Sequence, residues 1–226
     1  MFITFEGIEG SGKSTQCRRL KARLEQVGRH SVLLTREPGA STLGRHLRAI
    51  LLDPAQPAFC SRAELFLYLA DRAQHVKEVI EPALENGRVV IADRFSHSTL
   101  AYQGYGRGLD LEILHQMNDF AVQGLRPDCT VLIDLPAEIG LARAMARNQE
   151  SPQSAAESRF EAEALDFHRR VRRGFLELAA RTPERFCTLD GAQTPDQVFQ
   201  ELWTKLGAVL PGLSGLNPPP APDAPA

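Results

Sequence analysis

One glycine-rich segment near the start of the chain constrains its fold more than any other feature. The segment, Gly7-Ile8-Glu9-Gly10-Ser11-Gly12-Lys13-Ser14, fits the pattern GxxxxGK[ST]. It follows a strand-like run at 2–6 and precedes a helical pattern at 14–27. In that setting glycines let backbone N–H groups turn toward a phosphate, and the helix N-terminus adds partial positive charge. We therefore predict a phosphate-binding loop (P-loop), and a chance glycine-rich turn is the weaker interpretation.

The loop residues suggest how a nucleotide would be held. Its predicted contacts are Gly7, Gly10, Ser11, Gly12, Lys13, Ser14 and Thr15. Lys13 is expected to reach the terminal phosphates, and the Ser14 hydroxyl is expected to bind Mg²⁺. Asp93 ends the apolar run at 89–92, where a carboxylate can hold magnesium through water. A simple ion pair between Asp93 and Arg94 at the strand end is the alternative interpretation.

Alternating runs of the two secondary-structure types indicate the fold class. Strand-like runs at 2–6, 31–35, 88–92, 130–135 and 186–189 alternate with helical patterns at 14–27, 63–86, 111–124, 139–146 and 157–180. The strand-like runs are continuously apolar, as in strands buried on both faces. The alternation predicts an α/β fold with a doubly wound parallel sheet.

Composition limits the domain count and the classes of partner. The chain has 226 residues with 43% hydrophobic residues and a net charge of −2, which is typical of one globular domain. We predict a single domain at 1–210 and a proline-rich disordered tail at 211–226. The near-neutral charge argues against a nucleic-acid partner bound by bulk charge. No apolar window reaches the about 18 residues that cross a bilayer, so no membrane partner is expected.

Cysteines and missing motifs narrow the interpretation further. The four cysteines, Cys17, Cys60, Cys129 and Cys187, are far apart, which argues against a zinc site or disulfide framework and favours the cytoplasm. A P-loop alone is compatible with kinases, GTPases, ATPases and transport motors. The sequence has no NKxD or DxxG segment, which disfavours a GTPase, and no LSGGQ segment.

Three further segments are similar to one known family. They are Thr35-Arg36-Glu37-Pro38-Gly39, Asp93-Arg94-Phe95 and Ser98-Thr99-Leu100-Ala101-Tyr102-Gln103-Gly104. With the P-loop, they resemble bacterial thymidylate kinases, which are P-loop nucleoside monophosphate kinases, over about residues 1–207. The resemblance implies a three-layer fold in which helices flank a five-stranded parallel sheet of order 2-3-1-4-5, with a mobile lid at about 143–162.

The resemblance also implies the activity. The enzyme would transfer the γ-phosphoryl group of ATP to thymidine monophosphate (dTMP), with Mg²⁺, in the synthesis of dTTP for DNA. It would be a cytoplasmic homodimer. No general base is required, because the nucleophile is a phosphate oxygen whose second pKa is about 6.

Residues that match the family pattern form an expected acceptor site. They are Glu9, Arg36, Glu37, Arg48, Tyr68, Arg72, Arg94, Ser98, Thr99, Tyr102 and Gln103. By resemblance, Arg36 grips the acceptor phosphate and Glu9 accepts a hydrogen bond from the 3′-hydroxyl. Tyr68, where the family usually has Phe, would stack on the base, and Tyr102 would crowd the sugar 2′ carbon. Phe66, two residues before Tyr68, is expected in the core.

The expected catalytic residues are Lys13, Arg94, Arg147 and Arg159. In the family an arginine comes either from the P-loop or from the lid, and 8–11 contains none, so the resemblance implies that the lid supplies it. Arg143, Arg147 and Arg159 are the candidates, and Arg159→Ala is expected to lower kcat far more than substrate affinity. Two alternatives remain open: a kinase for another nucleoside monophosphate, and a nucleotide-binding regulator without catalysis.

Overall fold

A computed structural model of the protein describes residues 1–28 and 31–209. The strands are β1 (Phe2–Glu6), β2 (Val32–Arg36), β3 (Val89–Asp93), β4 (Cys129–Asp134) and β5 (Phe186–Asp190). They form one parallel sheet in the order β2-β3-β1-β4-β5. This confirms the expected fold class and strand order. The tail expected at 211–226 lies outside the described residues.

Helices cover both faces of this sheet. The α-helices are α1 (Lys13–Gln26), α2 (Thr42–Leu52), α3 (Ser61–His75), α4 (Glu81–Glu85), α5 (Ser96–Thr99), α6 (Leu111–Val122), α7 (Ala137–Glu150), α8 (Pro152–Ala155), α9 (Leu165–Arg181) and α10 (Pro195–Val209). Segments with π-helical turns, Val76–Ile80 and Leu100–Gly106, continue α3 and α5. Short 3₁₀ turns lie at Phe160–Ala162 and Pro183–Arg185. No helix of the described ranges is long and apolar enough to cross a membrane.

The central strand explains why the strand-like runs are continuously apolar. β1 pairs with β3 and β4, and all five of its residues are buried. Ile3 and Phe5 pack on the face covered by α1 and α10, whereas Phe2 packs on the opposite face with Val90 and Ile80. Successive strand side chains point to opposite faces, so a strand covered on both sides needs apolar residues at consecutive positions.

Several helix boundaries differ from the sequence expectations. The helix expected from residue 157 begins at Leu165, because the backbone N–H of Arg159 donates to Leu52 in α2 and the chain then makes a 3₁₀ turn. The polar stretch at 148–158, part of the expected lid, contains the end of α7 and all of α8. The sequence patterns missed α2, α5 and α10. The Ser41 hydroxyl, which accepts from the Gly44 N–H, marks the start of α2.

The buried carboxyl of Glu6 fixes the connection that follows β3. It accepts hydrogen bonds from the Phe95 N–H at 2.9 Å and from the Ser98 hydroxyl at 2.6 Å. Burial raises its pKa to about 7, although these hydrogen bonds and Arg94 act in the opposite direction. The end of β1 thereby positions the start of α5, which carries two expected acceptor residues.

The raised pKa of Glu6 predicts a pH dependence of stability. Between about pH 4.5 and 7 the native state keeps a proton on Glu6 that the unfolded state has lost, so stability falls as pH rises. We expect Glu6→Gln to reduce this loss, which is about 3 kcal/mol at most. The free energy of unfolding from urea titrations at pH 5 to 8 measures it. The exposed Glu138→Gln is the matched control, and identical pH slopes for Glu6→Gln and the unchanged chain would contradict the prediction.

Candidate active site

The P-loop connects β1 to α1 at the carboxyl end of the sheet. Gly12 precedes α1 with a φ of 96°, in the left-handed region that favours glycine. A side chain at Gly10 would put its Cβ 2.1 Å from the Gly140 carbonyl oxygen, and one at Gly140 would lie 2.6 Å from the Glu9 carbonyl oxygen. The loop therefore packs backbone against backbone on α7, which continues into the expected lid.

The amine of Lys13 lies inside the P-loop. It donates to the carbonyl oxygens of Gly7 at 3.0 Å and Ile8 at 2.7 Å, and to the Ser11 hydroxyl at 3.3 Å. Burial lowers its pKa to about 8, although Asp93 and Glu9 favour the charged form. A buried ammonium held by carbonyl oxygens is placed to move onto phosphate oxygens, which carry more negative charge.

A hydroxyl and a carboxylate meet beside this loop. The Ser14 hydroxyl donates to Asp93 Oδ2 across the end of β3. Both groups offer oxygen, which is the donor that Mg²⁺ prefers, and Mg²⁺ in nucleotide enzymes usually takes few protein ligands. The two residues therefore fit the magnesium site expected from the sequence.

A cavity of about 210 Å³ joins the P-loop to the first turns after β2 and β3. The sequence-expected residues on its wall are Glu9, Gly10, Lys13, Ser14, Arg36, Glu37, Arg48, Tyr68, Arg72, Asp93, Arg94, Ser98, Thr99, Tyr102, Gln103 and Arg147. All the expected acceptor residues are thus brought together. Gly7, Ser11, Gly12 and Thr15 lie in the P-loop and its first helical turn, away from this wall. Pro38, Leu52, Glu157, Phe160 and Glu161 complete the lining without having been expected.

The floor of the cavity is a cluster around the Glu9 carboxylate. Tyr102 donates its hydroxyl to Glu9 Oε1 at 2.5 Å, and Arg94 Nη2 donates to the same oxygen at 3.1 Å. Arg94 also donates to the Gly7 carbonyl oxygen at 3.0 Å. Burial alone would raise the pKa of Glu9, but His168, Arg94, Lys13 and Tyr102 together lower it to about 2. Glu9 is therefore an ionised hydrogen-bond acceptor inside the cavity.

The guanidinium of Arg72 forms the inner wall. It donates to Glu37 Oε2 at 2.8 Å, to the Thr99 hydroxyl and Asn118 Oδ1 at 2.6 Å each, and to the Phe95 carbonyl oxygen at 3.0 Å. Arg72 and Glu37 side chains are only 2% exposed. Burial alone would raise the pKa of Glu37, but Arg72 and His75 lower it. Arg72 and Thr99 therefore present polar groups in fixed positions.

Residues that the sequence argument missed support this wall. His75 lies 2.9 Å from Glu37 Oε1 and 2.7 Å from the Thr35 hydroxyl, so a hydrogen-bonded chain crosses from α3 to β2. Asp71 Oδ1 accepts from the Gly39 N–H at 3.0 Å. His75 lies four residues after Asp71 and three after Arg72, so the three side chains are neighbours on the surface of α3. This cluster of polar residues is the sequence feature from which the supporting residues could have been predicted.

Arg36 and Arg48 lie close together on the cavity wall. Burial and the neighbouring Arg48 guanidinium lower the pKa of Arg36. Arg48 donates to the Pro38 carbonyl oxygen at 2.8 Å and makes a two-point contact with Glu157, at 2.9 and 2.7 Å. Two guanidinium groups that repel each other at one place favour binding of an anion between them.

The lid arginines point to different places. Arg147 lines the cavity and pairs with Glu161 at 3.0 Å. Arg159 lies away from the cavity wall, where it covers the Phe59 ring at 4.1 Å and approaches Glu64 at 3.5 Å. These contacts hold the Arg159 guanidinium off the cavity wall, so Arg147 is the better placed of the two arginines, and a catalytic role for Arg159 stays a prediction. Arg143 donates to the Gly191 carbonyl oxygen at 2.9 Å and joins α7 to the loop after β5.

Comparison with known proteins agrees with this geometry. A model of the thymidylate kinase family matches residues 5–202. Thymidylate kinase of Nitratidesulfovibrio vulgaris (strain Miyazaki F) is 58% identical over 210 residues, covering 93% of this chain and 97% of the relative. That of Desulfovibrio desulfuricans is 57% identical, covering 93% and 96%. The crystal structure of thymidylate kinase from Ehrlichia chaffeensis matches with a TM-score of 0.72 and 35% identity, covering 91% of this chain and 98% of that one. The family model and these relatives span nearly all of the described fold, and the chain belongs to the thymidylate kinase family.

Proposed function

We propose that this chain transfers the γ-phosphoryl group of ATP to dTMP, giving dTDP and ADP, in the supply of dTTP for DNA synthesis. One observation carries the proposal: a single cavity is lined both by Lys13 of the P-loop and by the buried, hydrogen-bonded pair Arg72 and Thr99. A nucleoside monophosphate fits such a cavity with its phosphate at the P-loop end. Its base would then lie against the fixed polar groups of the wall.

Each part of the acceptor has a matching group. Arg36 and Arg48 grip the phosphate from two sides, as planar guanidinium groups do. Arg72, Thr99 and Ser98 read the edge of the base, and Gln103 closes the pocket. The Tyr68 ring, 6.4 Å from the Phe160 ring, offers a stacking face. Glu37 acts through Arg72 by fixing the guanidinium.

The sugar lies between the P-loop and the Tyr102 ring in this arrangement. Tyr102 packs edge-on against Phe160 and Phe175, with ring centroids 5.4 and 6.1 Å away, so its ring has little room to move. A 2′-hydroxyl would meet this ring, which favours deoxyribonucleotides. Glu9 is placed to accept the hydrogen bond of a 3′-hydroxyl.

Catalysis rests on charge neutralisation and alignment. The attacking group is an ionised phosphate oxygen, so no side chain needs to remove a proton. Lys13 binds the terminal phosphates of ATP, Arg94 stands between donor and acceptor, and Arg147 approaches from the lid. Positive groups fixed where negative charge spreads in the transition state account for most of the rate in phosphoryl transfer.

The proposal includes Mg²⁺ as cofactor. Ser14 and Asp93 would hold the ion, Ser14 through its hydroxyl and Asp93 through its carboxylate, directly or through water. An ion held there would supply positive charge that neutralises part of the phosphate charge. Asp93 also ends β3 beside Arg36 of β2, so the same edge of the sheet carries both the metal and the acceptor groups.

The described fold also supports the expected lid and the expected cytoplasmic location. The lid at about 143–162 includes the end of α7, α8 and the 3₁₀ turn. The Arg48–Glu157 ion pair joins it to α2, and the Arg147–Glu161 pair lies within it. We propose that this segment closes over the phosphates within one domain spanning 1–210.

The four cysteines are free thiols, which fits a reducing cytoplasm.

The first test measures ADP release from Mg-ATP with dTMP, dUMP, dCMP, UMP, CMP and AMP as acceptors. We expect strong turnover with dTMP, weaker turnover with dUMP and little with ribonucleotides. Lys13→Ala, which lacks the phosphate-binding amine, is the blank. Preference for another monophosphate would replace the acceptor assignment, and no acceptor-dependent ADP release with any of the six monophosphates would favour a nucleotide-binding regulator.

The lid assignment gives a second prediction. We expect Arg147→Ala to lower kcat about 100-fold with a smaller change in KM for dTMP, because it removes positive charge from the transition state. Arg159→Ala is the matched control on the same lid, and we expect it to lower kcat less than about tenfold. Steady-state kinetics with dTMP and Mg-ATP measure both losses. A larger loss of kcat in Arg159→Ala than in Arg147→Ala would favour Arg159 as the catalytic arginine of the lid.

An exposed apolar face supports the proposed homodimer. Phe66 of α3 is 58% exposed, which corrects the expectation that it lies in the core. Phe120 and Ile113 of α6 are 87% and 56% exposed. A groove of about 730 Å³ lies between α3 and α6, with Phe66, Met117 and Phe120 on its wall. Such a face is costly to leave in water, and we propose that a second copy covers it.

Replacing the most exposed ring should separate the two copies. We expect Phe120→Asp to convert the dimer to a monomer. In a two-fold symmetric interface the substitution introduces two negative charges, one from each copy, into an apolar contact. Light scattering coupled to gel filtration gives the mass. Leu176→Asp, an exposed apolar residue of α9, is the matched control and should leave the dimer intact. A monomeric unchanged chain at micromolar concentration would contradict the proposal.

A further inference from the structure

A buried histidine outside the assigned groups contacts the floor of the cavity. His168 lies in the first turn of α9 and is 1% exposed. Its Nδ1 is 3.3 Å from Oε2 of Glu9 in the P-loop. The ring of Phe167 meets the imidazole edge-on, with centroids 5.5 Å apart. The titratable ring of His168 is therefore buried against Phe167 and lies next to the Glu9 carboxylate.

The two oxygens of Glu9 have different surroundings. Oε1 accepts from Tyr102 and Arg94, at 2.5 and 3.1 Å. Oε2 is buried and has no well-aligned hydrogen bond within the described part of the chain. The charged group beside it is His168, whose own Nε2 is also buried without a well-aligned partner. An ionised oxygen buried without a positive neighbour would be costly, so this contact is needed to keep Oε2 where it is.

The charges around the imidazole favour its protonated form. Burial alone would lower the pKa of His168, but Glu9, the Phe160 backbone and the Glu161 carboxylate together raise it. His168 in turn is the first of the groups that lower the pKa of Glu9 against the effect of burial. Arg94 and Lys13 act on Glu9 from the other side. The carboxylate is thus held between cations at both of its ends.

We infer that His168 is a positioning residue that selects acceptors with a 3′-hydroxyl. By holding Oε2 at the back of the cavity, it keeps Oε1 and the hydroxyl of Tyr102 turned toward the acceptor sugar. The inference rests on the proposed dTMP kinase activity and on the placement of the 3′-hydroxyl at Glu9. An apolar side chain would fill the same space but leave Oε2 without its partner, and the carboxylate would rotate.

The experiment compares dTMP with 3′-deoxy-dTMP, which lacks only the hydroxyl. The readout is the ratio of kcat/KM for the two acceptors at saturating Mg-ATP. We expect His168→Leu to lower this ratio about tenfold, mainly through KM for dTMP, which is the scale of one hydrogen bond to a charged group. His168→Asn should restore most of it, because its amide nitrogen can occupy the position of Nδ1. A structural role in packing alone would change both acceptors equally.

Further variants separate the inference from the proposed function. Glu9→Gln should lower the ratio at least as far as His168→Leu, and the double variant should match Glu9→Gln. An unchanged ratio in Glu9→Gln would remove the 3′-hydroxyl from Glu9 and with it the basis of the inference, whereas dTMP turnover would still test the kinase activity. A lowered ratio in Glu9→Gln with an unchanged ratio in His168→Leu overturns the role of His168 alone. His97→Leu is the control, because His97 lines a different cavity. It should leave the ratio of kcat/KM for the two acceptors unchanged.

A measurement without any His168 variant covers the case in which His168→Leu does not fold. The ¹⁵N chemical shifts of the His168 ring in the full chain report its protonation. We expect the ring to stay doubly protonated to a higher pH in the unchanged chain than in Glu9→Gln, because Glu9 raises the pKa of His168. The same titration midpoint in both proteins overturns the inferred pair.

Discussion

The guanidinium of Arg94 holds the P-loop and the acceptor wall in one arrangement. It donates to the Gly7 carbonyl oxygen and Glu9 in the P-loop, and to the Ser98 and Tyr102 hydroxyls in the segment that follows β3. Arg94 has a φ of 75°, a left-handed conformation that costs about 1 to 2 kcal/mol for a residue with a side chain. Five parallel strands put the ends of β1 and β3 side by side, and this backbone conformation then turns one cation into the gap between them.

The acceptor wall and the lid differ in how firmly their charges are held. The Arg72–Glu37 pair is buried, with both side chains 2% exposed, and removing one partner of such a pair leaves a costly unpaired charge. In the lid, Arg147 is 51% exposed where it pairs with Glu161, and an ion pair of that kind contributes about 0 to 1 kcal/mol. The groups that we propose to read the base are therefore preorganised, whereas Arg147 is held less firmly than Arg72.

Sequence patterns recovered the sheet because its chemistry is local. Each strand is a short apolar run, and a strand such as β1, covered on both faces, needs apolar side chains at consecutive positions. The P-loop and the acceptor segments were likewise readable, because each is a contiguous motif at the end of a strand. The resemblance placed Arg36, Arg72, Thr99 and Tyr102 in one pocket, and the cavity brings these residues together.

The remaining features depend on partners that are distant in sequence. Arg159 occupies a polar lid stretch, yet Glu64 and the Phe59 ring, about a hundred residues earlier, set the direction of its side chain. Phe66 follows a helical apolar pattern, and only the packing of α3 against α6 shows that its ring faces outward.

A lone histidine on an amphipathic helix carries no signal for a role at a loop 159 positions away. His168 becomes informative only once α9 is seen to bring it against Glu9. That contact also explains a difficulty in the P-loop itself. An acidic residue inside a loop that binds phosphates repels them unless its charge is compensated, and Arg94 and His168 compensate it from opposite sides. Glu9 can then remain ionised, as its proposed contact with the acceptor sugar requires, without leaving an uncompensated negative charge beside Lys13.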